Sequence, residues 1–242
     1  MSNKVKKKLK TSDNVDIAIN HLKNDKNEVV IIAPGWFMTK DSKAFSELAF
    51  ELSQSYDVIT MDFRGHGESG GFYTFTSKET KDLAAVVNWA KNAYEKVYLM
   101  GFSLGGGLVL IHGAIEKNVD KIIAVSAHCD FKKIENQMWR KEAWAQTFKK
   151  FELKRWLSTR PSIIIRRKIS PVDIVEQVEV PTLFIAGEKD PTVHYWHTKT
   201  LYDKAQCKKH FELFENCCHA EDLFIAQKDK FLNLCKNWLS GA

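Results

Sequence analysis

The segment that decides the fold is Val97-Tyr98-Leu99-Met100-Gly101-Phe102-Ser103-Leu104-Gly105-Gly106-Gly107. It places a G-x-S-x-G motif directly after an apolar run typical of a buried strand and directly before an apolar helical segment. A serine on such a sharp turn needs glycine neighbours, because larger side chains would collide with the backbone. The turn exposes the serine hydroxyl and directs the next backbone N–H at a developing oxyanion. We therefore predict Ser103 as a nucleophile and Leu104 as a backbone oxyanion donor.

A second G-x-S-x-G match occurs at Gly67-Glu68-Ser69-Gly70-Gly71. It follows the loop residues 64–66 and precedes residues 72–76, which are poor helix formers. Because the strand–turn–helix context is missing, we interpret Ser69 as a loop residue.

Short apolar runs recur along the chain and alternate with segments of helical spacing. The runs show little alternation of polar and apolar residues, which is typical of parallel strands covered on both faces. They are residues 29–33, 58–61, 97–100, 122–125 and 182–186, with a more alternating run at 210–214. Helical spacing is found near residues 45–52, 83–90, 104–115, 193–205 and 220–239. This order predicts one α/β domain over residues 1–242, with a mostly parallel sheet and helices on both faces.

Two parts of the chain depart from this rhythm. Val15, Ile17 and Ile19 alternate, which predicts an antiparallel hairpin leading into the sheet. Residues 131–170 are basic and aromatic, with helical spacing at Trp144, Phe148 and Phe151 and no Gly/Ser/Pro-rich linker at either side. We interpret residues 131–170 as a helical cap inserted between two strands of the sheet.

A serine nucleophile needs a base, and the base needs an acid that orients it. With a nucleophile on this kind of turn, the chain order is serine, acid, histidine. Asp190 follows the run at 182–186 and His219 follows the run at 210–214, where the carboxyl ends of parallel strands form sites. We predict Asp190 as the acid and His219 as the base. Asp130, after the run at 122–125, remains an alternative acid.

The other histidines receive structural interpretations. His112 is expected to be buried on the helix after Ser103, and His128 to be an ordinary loop residue. His194 and His197 are expected to be exposed on the helix after Asp190. Cys217, Cys218 and His219 are adjacent, but no second pair of ligands has metal spacing, so we predict no metal site.

An oxyanion hole needs a second donor, from the loop after an early strand. Here the strand at 29–33 ends in Pro34-Gly35-Trp36-Phe37, and the Trp36 N–H is the candidate. An ordinary turn at Pro34-Gly35, with Trp36 packed against the cap, is the alternative.

Composition places the chain among globular proteins. It has 242 residues, 44% hydrophobic and 27% charged. No apolar run reaches the roughly 18–20 residues of a membrane span. The lysine-rich start lacks the apolar stretch of a secretory signal, and five cysteines form no disulfide pattern. A cytoplasmic location is therefore expected.

The net charge of +6 is unevenly distributed. Residues 1–10 contain five Lys and no acid, and residues 130–170 contain twelve Lys or Arg against four Asp or Glu. A basic segment thus lies inside an otherwise mildly acidic chain. This favours anionic substrates or weak contact with an anionic membrane surface, whereas no nucleic-acid-binding motif accompanies the charge.

Taken together, these residues resemble the α/β-hydrolase superfamily. The similarity is to the branch of monoacylglycerol lipases, cinnamoyl (feruloyl) esterases and serine aminopeptidases. The residues that carry it are Pro34-Gly35-Trp36, Asp62-Phe63-Arg64-Gly65-His66-Gly67-Glu68-Ser69, Gly101–Gly106, Gly187-Glu188-Lys189-Asp190 and His219. The resemblance implies an α/β-hydrolase fold, Ser103, Asp190 and His219 as the triad, and Trp36 and Leu104 as oxyanion donors. It also implies that the loop at 62–69 is a structural signature near the site.

The sequence departs from the family pattern at two positions. Members usually have histidine before the oxyanion glycine and often before the nucleophile, where this chain has Pro34 and Phe102. The resemblance further implies that residues 131–170 cover an acyl pocket. We accordingly expect substrate contacts from Trp36, Phe102, Trp139 and Trp144.

The function expected is that of a serine carboxylesterase without metal or organic cofactor, acting on short-to-medium acyl or aryl esters. A thioesterase or an aminopeptidase would use the same triad. The basic cap suits acyl-CoA phosphates and disfavours an aminopeptidase, which would hold an ammonium group with acidic residues. A non-catalytic binding protein of the same fold is the alternative from another class.

Overall fold

The structure is a computed structural model that describes residues 3–138, 141, 157–162 and 168–241. These residues form one eight-stranded sheet in the order β1-β2-β4-β3-β5-β6-β7-β8. The strands are β1 (Asn3–Lys10), β2 (Asp16–Lys23), β3 (Glu28–Ala33), β4 (Asp57–Met61), β5 (Lys96–Phe102), β6 (Lys121–Val125), β7 (Thr182–Gly187) and β8 (Lys209–Phe214). Strands β3 to β8 run parallel to one another, whereas β2 is antiparallel to both β1 and β4.

Helices cover both faces of this sheet. They are α1 (Lys43–Leu52), α2 (Glu79–Lys91), α3 (Leu104–Ile115), α4 (Phe131–Met138), α5 (Pro171–Ile174), α6 (Tyr195–Lys204), α7 (Glu221–Ala226) and α8 (Lys228–Ser240). Successive strand residues point to opposite faces, so Val29 and Ile31 pack in one core with α2 and α3. Val30 and Ile32 pack in the other core with α1 and α8. Burial on both faces explains why the apolar runs lack alternation, and it confirms the predicted α/β architecture.

Strand β1 is the lysine-rich start of the chain, and it pairs with β2 as the predicted antiparallel hairpin. Its register places Leu9 opposite Ile17, on the side of the core that β2 buries. The lysines Lys6 and Lys8 point outward and are exposed. This edge strand therefore carries charge where it borders solvent, which discourages pairing with another chain.

The expected helix over residues 220–239 is wrong in one respect, because the structure divides it into α7 and α8. The break is at Gln227, whose backbone has φ −134° and ψ 57°, outside the helical region. The side-chain amide nitrogen Nε2 of Gln227 donates to the Glu215 carbonyl at 3.1 Å. The division lets Phe224 and Phe231 both turn into the same core.

Only part of the expected cap lies among the described residues. The described part of the cap begins with α4, directly after the loop that follows β6, and it includes residues 157–162. There Arg160 N–H donates to the Gly65 carbonyl at 2.7 Å, and Tyr73 N–H donates to the Arg160 carbonyl at 2.8 Å. This piece of the insertion thus docks on the loop after β4. Trp139 and Trp144, two of the expected substrate contacts, lie outside the described residues.

Among the described residues, no helix is both long and apolar enough to cross a membrane.

Candidate active site

Ser103 lies on the turn between β5 and α3, as the motif predicts. Its backbone has φ 55° and ψ −117°, a region that residues other than glycine rarely adopt. The Ser103 N–H donates to the Val125 carbonyl at 2.8 Å, which fixes this turn to β6. A Cβ on Gly101 would lie 2.3 Å from the Gly105 carbonyl oxygen, so the motif glycine is sterically required. The strain is thus maintained by close packing of strand against helix.

The structure brings Ser103, His219 and Asp190 into one hydrogen-bonded chain. His219 Nε2 lies 2.8 Å from Ser103 Oγ, and His219 Nδ1 lies 2.6 Å from Asp190 Oδ2. With Nδ1–H donating to the carboxylate, Nε2 is the nitrogen that can accept the serine proton. The Asp190 side chain is fully buried, whereas 12% of the His219 side chain remains exposed. The arrangement has the geometry of a nucleophile, a base and an orienting acid.

Asp190 is held by the backbone that follows it. Its Oδ1 accepts N–H donors from Thr192 at 2.9 Å and from Val193 at 2.8 Å. Oδ2 is thereby left to face His219. The alternative acid, Asp130, instead accepts the Lys132 N–H at 3.0 Å through Oδ1. Of the two carboxylates that follow neighbouring strands, only Asp190 contacts the histidine in the described geometry.

Ser126 binds the segment that follows His219, a contact that was not predicted from the sequence. It follows β6, and its Oγ accepts the Ala220 N–H at 3.1 Å. Ala220 has φ 53°, so the chain reverses sharply just after His219 and then enters α7. A second contact joins His219 N–H to Asp222 Oδ2 at 3.3 Å. The position of Ser126 at the carboxyl end of a parallel strand was the available signal.

The two candidate oxyanion donors lie on either side of Ser103. Leu104 is the first residue of α3, and N–H groups in the first turn of a helix have no acceptor within that helix. On the other side, a Cβ on Gly35 would lie 2.8 Å from the Ser103 Cβ and 3.1 Å from the Phe102 carbonyl oxygen. The loop after β3 therefore passes directly against the serine, and Trp36 follows at once. The position of both backbone groups is compatible with an oxyanion hole.

An apolar cluster lies over this site. It contains Leu104, which directly follows Ser103, and Val193, which comes three residues after Asp190. It also includes Trp36 and the aromatic residues Tyr73, Phe75 and Phe131. Trp36 makes an edge contact with Phe75, with ring centroids 5.4 Å apart. Lys168 Nζ lies 3.3 Å from the centroid of Phe131, so a cation borders the cluster. The surroundings of Ser103 are thus apolar and aromatic with a basic margin.

Phe102 lies in the core of the protein. The side chain is fully buried and packs between Phe45 and Phe231, with centroids 4.9 Å and 6.2 Å away. It belongs to the core shared with α1 and α8, because residues adjacent along a strand point to opposite faces. The expectation that Phe102 contacts substrate is therefore wrong.

The expectation that His197 is exposed is also wrong, because its side chain is fully buried. His197, Thr198 and Leu201 share the face of α6 that packs on the sheet. His197 Nδ1 lies 3.1 Å from Cys129 Sγ, and burial lowers the pKa of His197 to about 3. His112 is buried as predicted, and its Nε2 lies 2.8 Å from Asn118 Oδ1.

His128 is a second fully buried histidine near the nucleophile. Its ring packs against α3 at Gly107, where an added Cβ would lie 2.3 Å from the ring carbon Cε1. Burial lowers the pKa of His128 to about 4, so the ring is neutral at pH 7. Within the part of the chain that the structure describes, no three His, Cys, Asp or Glu side chains form a group that could hold a metal ion.

Ser69, the serine of the second motif, is a structural residue. It is buried, its Oγ donates to the Asp62 carbonyl at 2.6 Å, and the same oxygen accepts the Ala18 N–H at 2.8 Å. These bonds tie the loop after β4 to β2. The hydroxyl is thus used for folding, in agreement with its interpretation as a loop residue.

Comparisons with known proteins agree with this architecture. A family model described as the alpha/beta hydrolase fold matches residues 28–153, more than half of the chain. The YqkD protein of Bacillus subtilis is 27% identical over 218 residues, covering 81% of this chain and 66% of that protein. The lysophosphatidylserine lipase ABHD12 of Xenopus tropicalis is 28% identical over 159 residues, covering 63% of this chain and 40% of that protein. The chain thus spans less than two thirds of these relatives.

Solved structures show the same fold. The esterase Pf2001 of Pyrococcus furiosus superposes with a TM-score of 0.83 at 19% identity, covering 99% of this chain and 92% of that one. The esterase RhEst1 of a Rhodococcus species gives a TM-score of 0.79 at 18% identity, covering 99% of both chains. The family match, the sheet order and the strained serine turn lead to one conclusion: the chain belongs to the α/β-hydrolase family.

Proposed function

We propose that this protein is a serine hydrolase that cleaves carboxylic esters through an acyl-enzyme on Ser103. The observation that carries the proposal is the chain of contacts from Ser103 Oγ to His219 and on to Asp190, at 2.8 Å and 2.6 Å. A serine hydroxyl is a weak nucleophile alone, and this arrangement supplies the base and the orienting carboxylate that it needs.

In the acylation step, Ser103 Oγ attacks the ester carbonyl carbon while its proton passes to His219 Nε2. The carbonyl oxygen becomes an oxyanion, which the N–H groups of Leu104 and Trp36 stabilise. When the ester C–O bond breaks, His219 returns the proton to the leaving alcohol, and the acyl group remains on Ser103. Asp190 keeps the imidazole in the required tautomer and stabilises the imidazolium.

Deacylation repeats the sequence with water. His219 takes a proton from the water molecule, the hydroxide oxygen attacks the acyl carbon, and the Ser103–acyl bond breaks. The proton on His219 returns to Ser103 Oγ, and the carboxylic acid leaves. No metal or organic cofactor takes part in this sequence.

The apolar cluster beside Leu104 favours an acyl or aryl group as the part of the substrate that is buried. Trp36, Tyr73, Phe75 and Phe131 offer aromatic surface next to the nucleophile. Polar substrates would leave this surface without a partner. We therefore propose short-to-medium acyl esters or aryl esters as substrates, and Trp36 as one of the groups that contact them.

Acyl thioesters are the second candidate class. The observation that favours them is Lys168, whose ammonium group borders the aromatic cluster at Phe131. A cation at this position, in a basic segment, would attract the phosphates of an acyl-CoA. The thioester reaction would use the same nucleophile, base and oxyanion donors.

The test is the release of p-nitrophenol from acyl esters of increasing chain length, beside free thiol release from acyl-CoA substrates. Ser103→Ala is the control, and Ser69→Ala is the matched serine from the second motif. We expect turnover by the natural protein and by folded Ser69→Ala, and none above background by Ser103→Ala. Turnover retained in Ser103→Ala would refute the assignment, and a faster thiol release would favour the thioesterase.

A further inference from the structure

The loop after β4 holds the segment that carries Trp36 at two backbone positions. Phe37 N–H donates to His66 Nε2 at 3.3 Å, and Lys40 N–H donates to Asp62 Oδ1 at 2.7 Å. Phe37 directly follows Trp36, and Lys40 comes three residues later. The loop at 62–69 therefore contacts the start and the end of the turn that follows Trp36.

Phe37 has an unusual backbone conformation. Its φ is 58°, in the left-handed region that disfavours residues other than glycine and asparagine. Such a conformation persists only where the surroundings determine it. The N–H of Phe37 belongs to the peptide group that joins it to Trp36. A hydrogen bond to that N–H consequently limits rotation of the backbone next to the Trp36 N–H.

The surroundings of His66 leave its Nε2 as a hydrogen-bond acceptor for the Phe37 N–H. It is buried, its Nδ1 lies 3.3 Å from the Arg64 carbonyl oxygen, and its ring makes an edge contact with Tyr73 at a centroid distance of 4.6 Å. A carbonyl only accepts, so Nδ1 carries the proton and Nε2 is an acceptor. Arg64 is itself fixed by Asp82, since Nη2 and Oδ1 are 2.7 Å apart.

Asp62 completes the attachment at the other end of the turn. Its side chain is fully buried, and its Oδ2 accepts the Glu68 N–H at 3.0 Å while Oδ1 accepts from Lys40. One carboxylate thus joins the two loops. The buried ammonium group of Lys40 lies 3.5 Å from Asp62 Oδ2 and 2.7 Å from Glu68 Oε2, which compensates the charge.

We propose that His66 is a positioning residue for the oxyanion hole. By accepting the Phe37 N–H, it keeps the preceding peptide groups oriented so that the Trp36 N–H faces the oxyanion on Ser103. It acts through the loop that carries Trp36, by way of its bond to the Phe37 N–H. The inference rests on the proposed function, because it assigns the Trp36 N–H as an oxyanion donor.

Three substitutions separate the acceptor from the packing of the ring. His66→Gln places an acceptor oxygen near the position of Nε2 but removes the ring. His66→Asn is polar but too short to reach Phe37, and His66→Phe keeps the aromatic contact with Tyr73 but has no acceptor. Each variant is compared with the natural protein in melting temperature, in kcat and KM for a p-nitrophenyl ester, and in labelling of Ser103 by a fluorophosphonate.

The proposal predicts that His66→Gln keeps kcat within about threefold, whereas His66→Asn and His66→Phe lose roughly 10- to 100-fold in kcat with little change in KM. It is overturned if folded His66→Phe or His66→Asn matches His66→Gln in kcat, if the loss is confined to KM, or if kcat only follows the melting temperature. If one of the two non-acceptor variants does not fold, the other is compared with His66→Gln. If His66→Gln does not fold, the two non-acceptor variants are compared with the natural protein, whose His66 is the acceptor. Absence of Ser103-dependent turnover in the natural protein would instead refute the proposed function, and the positioning role with it.

Discussion

Gly35 approaches Ser103 so closely that a methyl group on Gly35 would lie 2.8 Å from the serine Cβ. Carbon atoms that are not bonded to one another normally stay about 3.5–4.0 Å apart. The same methyl group would lie 3.0 Å from Met38 Sδ and 3.1 Å from the Phe102 carbonyl oxygen. The loop that carries Trp36 and the turn that carries Ser103 are thus packed without room for a side chain between them.

Gly35→Ala should therefore displace the loop that carries Trp36, the proposed oxyanion donor, from Ser103. We expect kcat on a p-nitrophenyl ester to fall by roughly 10- to 100-fold, because a displaced oxyanion donor loses much of its effect. Gly70→Ala is the matched control, since its added Cβ would meet atoms only at 3.6 Å or more. Equal kcat values in the two folded variants would contradict the close contact.

Asp190→Asn tests the acid. The amide keeps the size of the carboxylate but offers an N–H₂ group and a weaker acceptor to His219, so the imidazole no longer favours the tautomer with Nε2 unprotonated. We expect kcat to fall by roughly 10³- to 10⁴-fold while the melting temperature changes little. Asp130→Asn, which changes the alternative carboxylate, should leave kcat unchanged. A large loss in Asp130→Asn alone would transfer the role to Asp130.

Ser126→Ala tests how the segment after His219 is held. The substitution removes the acceptor for the Ala220 N–H and costs about 1 kcal/mol in the free energy of unfolding. Because the bond is next to the base, we also expect kcat to fall by about tenfold. Thr198→Val removes a comparable buried bond, from Thr198 Oγ1 to the Ala127 carbonyl at 3.1 Å, which does not involve the segment after His219.

The test compares kcat and the free energy of unfolding between Ser126→Ala and Thr198→Val. Thr198→Val should lower the free energy of unfolding by a similar amount but keep kcat. If both variants lose kcat in proportion to their stability, Ser126 has no specific effect on His219.

The buried histidine at position 128 should make stability depend on pH. Burial lowers its pKa in the folded protein to about 4, below the ordinary value of 6.5 that the unfolded chain has. Between these values the unfolded state binds a proton that the folded state does not, so stability is lost as the pH falls from about 6.5 towards 4. Between pH 7.5 and pH 5 this amounts to about 2 kcal/mol.

Urea unfolding at pH 7.5 and pH 5 measures this effect. His128→Asn lacks the titrating group, so its free energy of unfolding should decrease by about 2 kcal/mol less than that of the natural protein over the same interval. Its absolute stability is expected to be lower at both pH values, because the ring fills space beside Gly107. The same pH dependence in both proteins would show that His128 is protonated in the folded state.

The sequence alone determined the fold class and the members of the candidate triad. Glycines around Ser103 are required by backbone geometry, and apolar runs without alternation indicate strands covered on both faces, so these signals are local. Asp190 and His219 were identifiable because carboxyl ends of parallel strands meet at one edge of the sheet. The second serine motif could be set aside for the same reason, since its flanking residues lack the strand and the helix.

Only the tertiary structure decided which of the remaining polar groups serve the site. Ser126, His66 and Asp62 act through bonds to backbone N–H groups far away in the chain, and such partners leave no periodicity in the sequence. His197 was misassigned because the buried face of a short helix depends on the sheet beneath it. The spacing of residues along the chain gives only their local order. The burial and the hydrogen-bond partners of a side chain depend on distant segments that folding brings together.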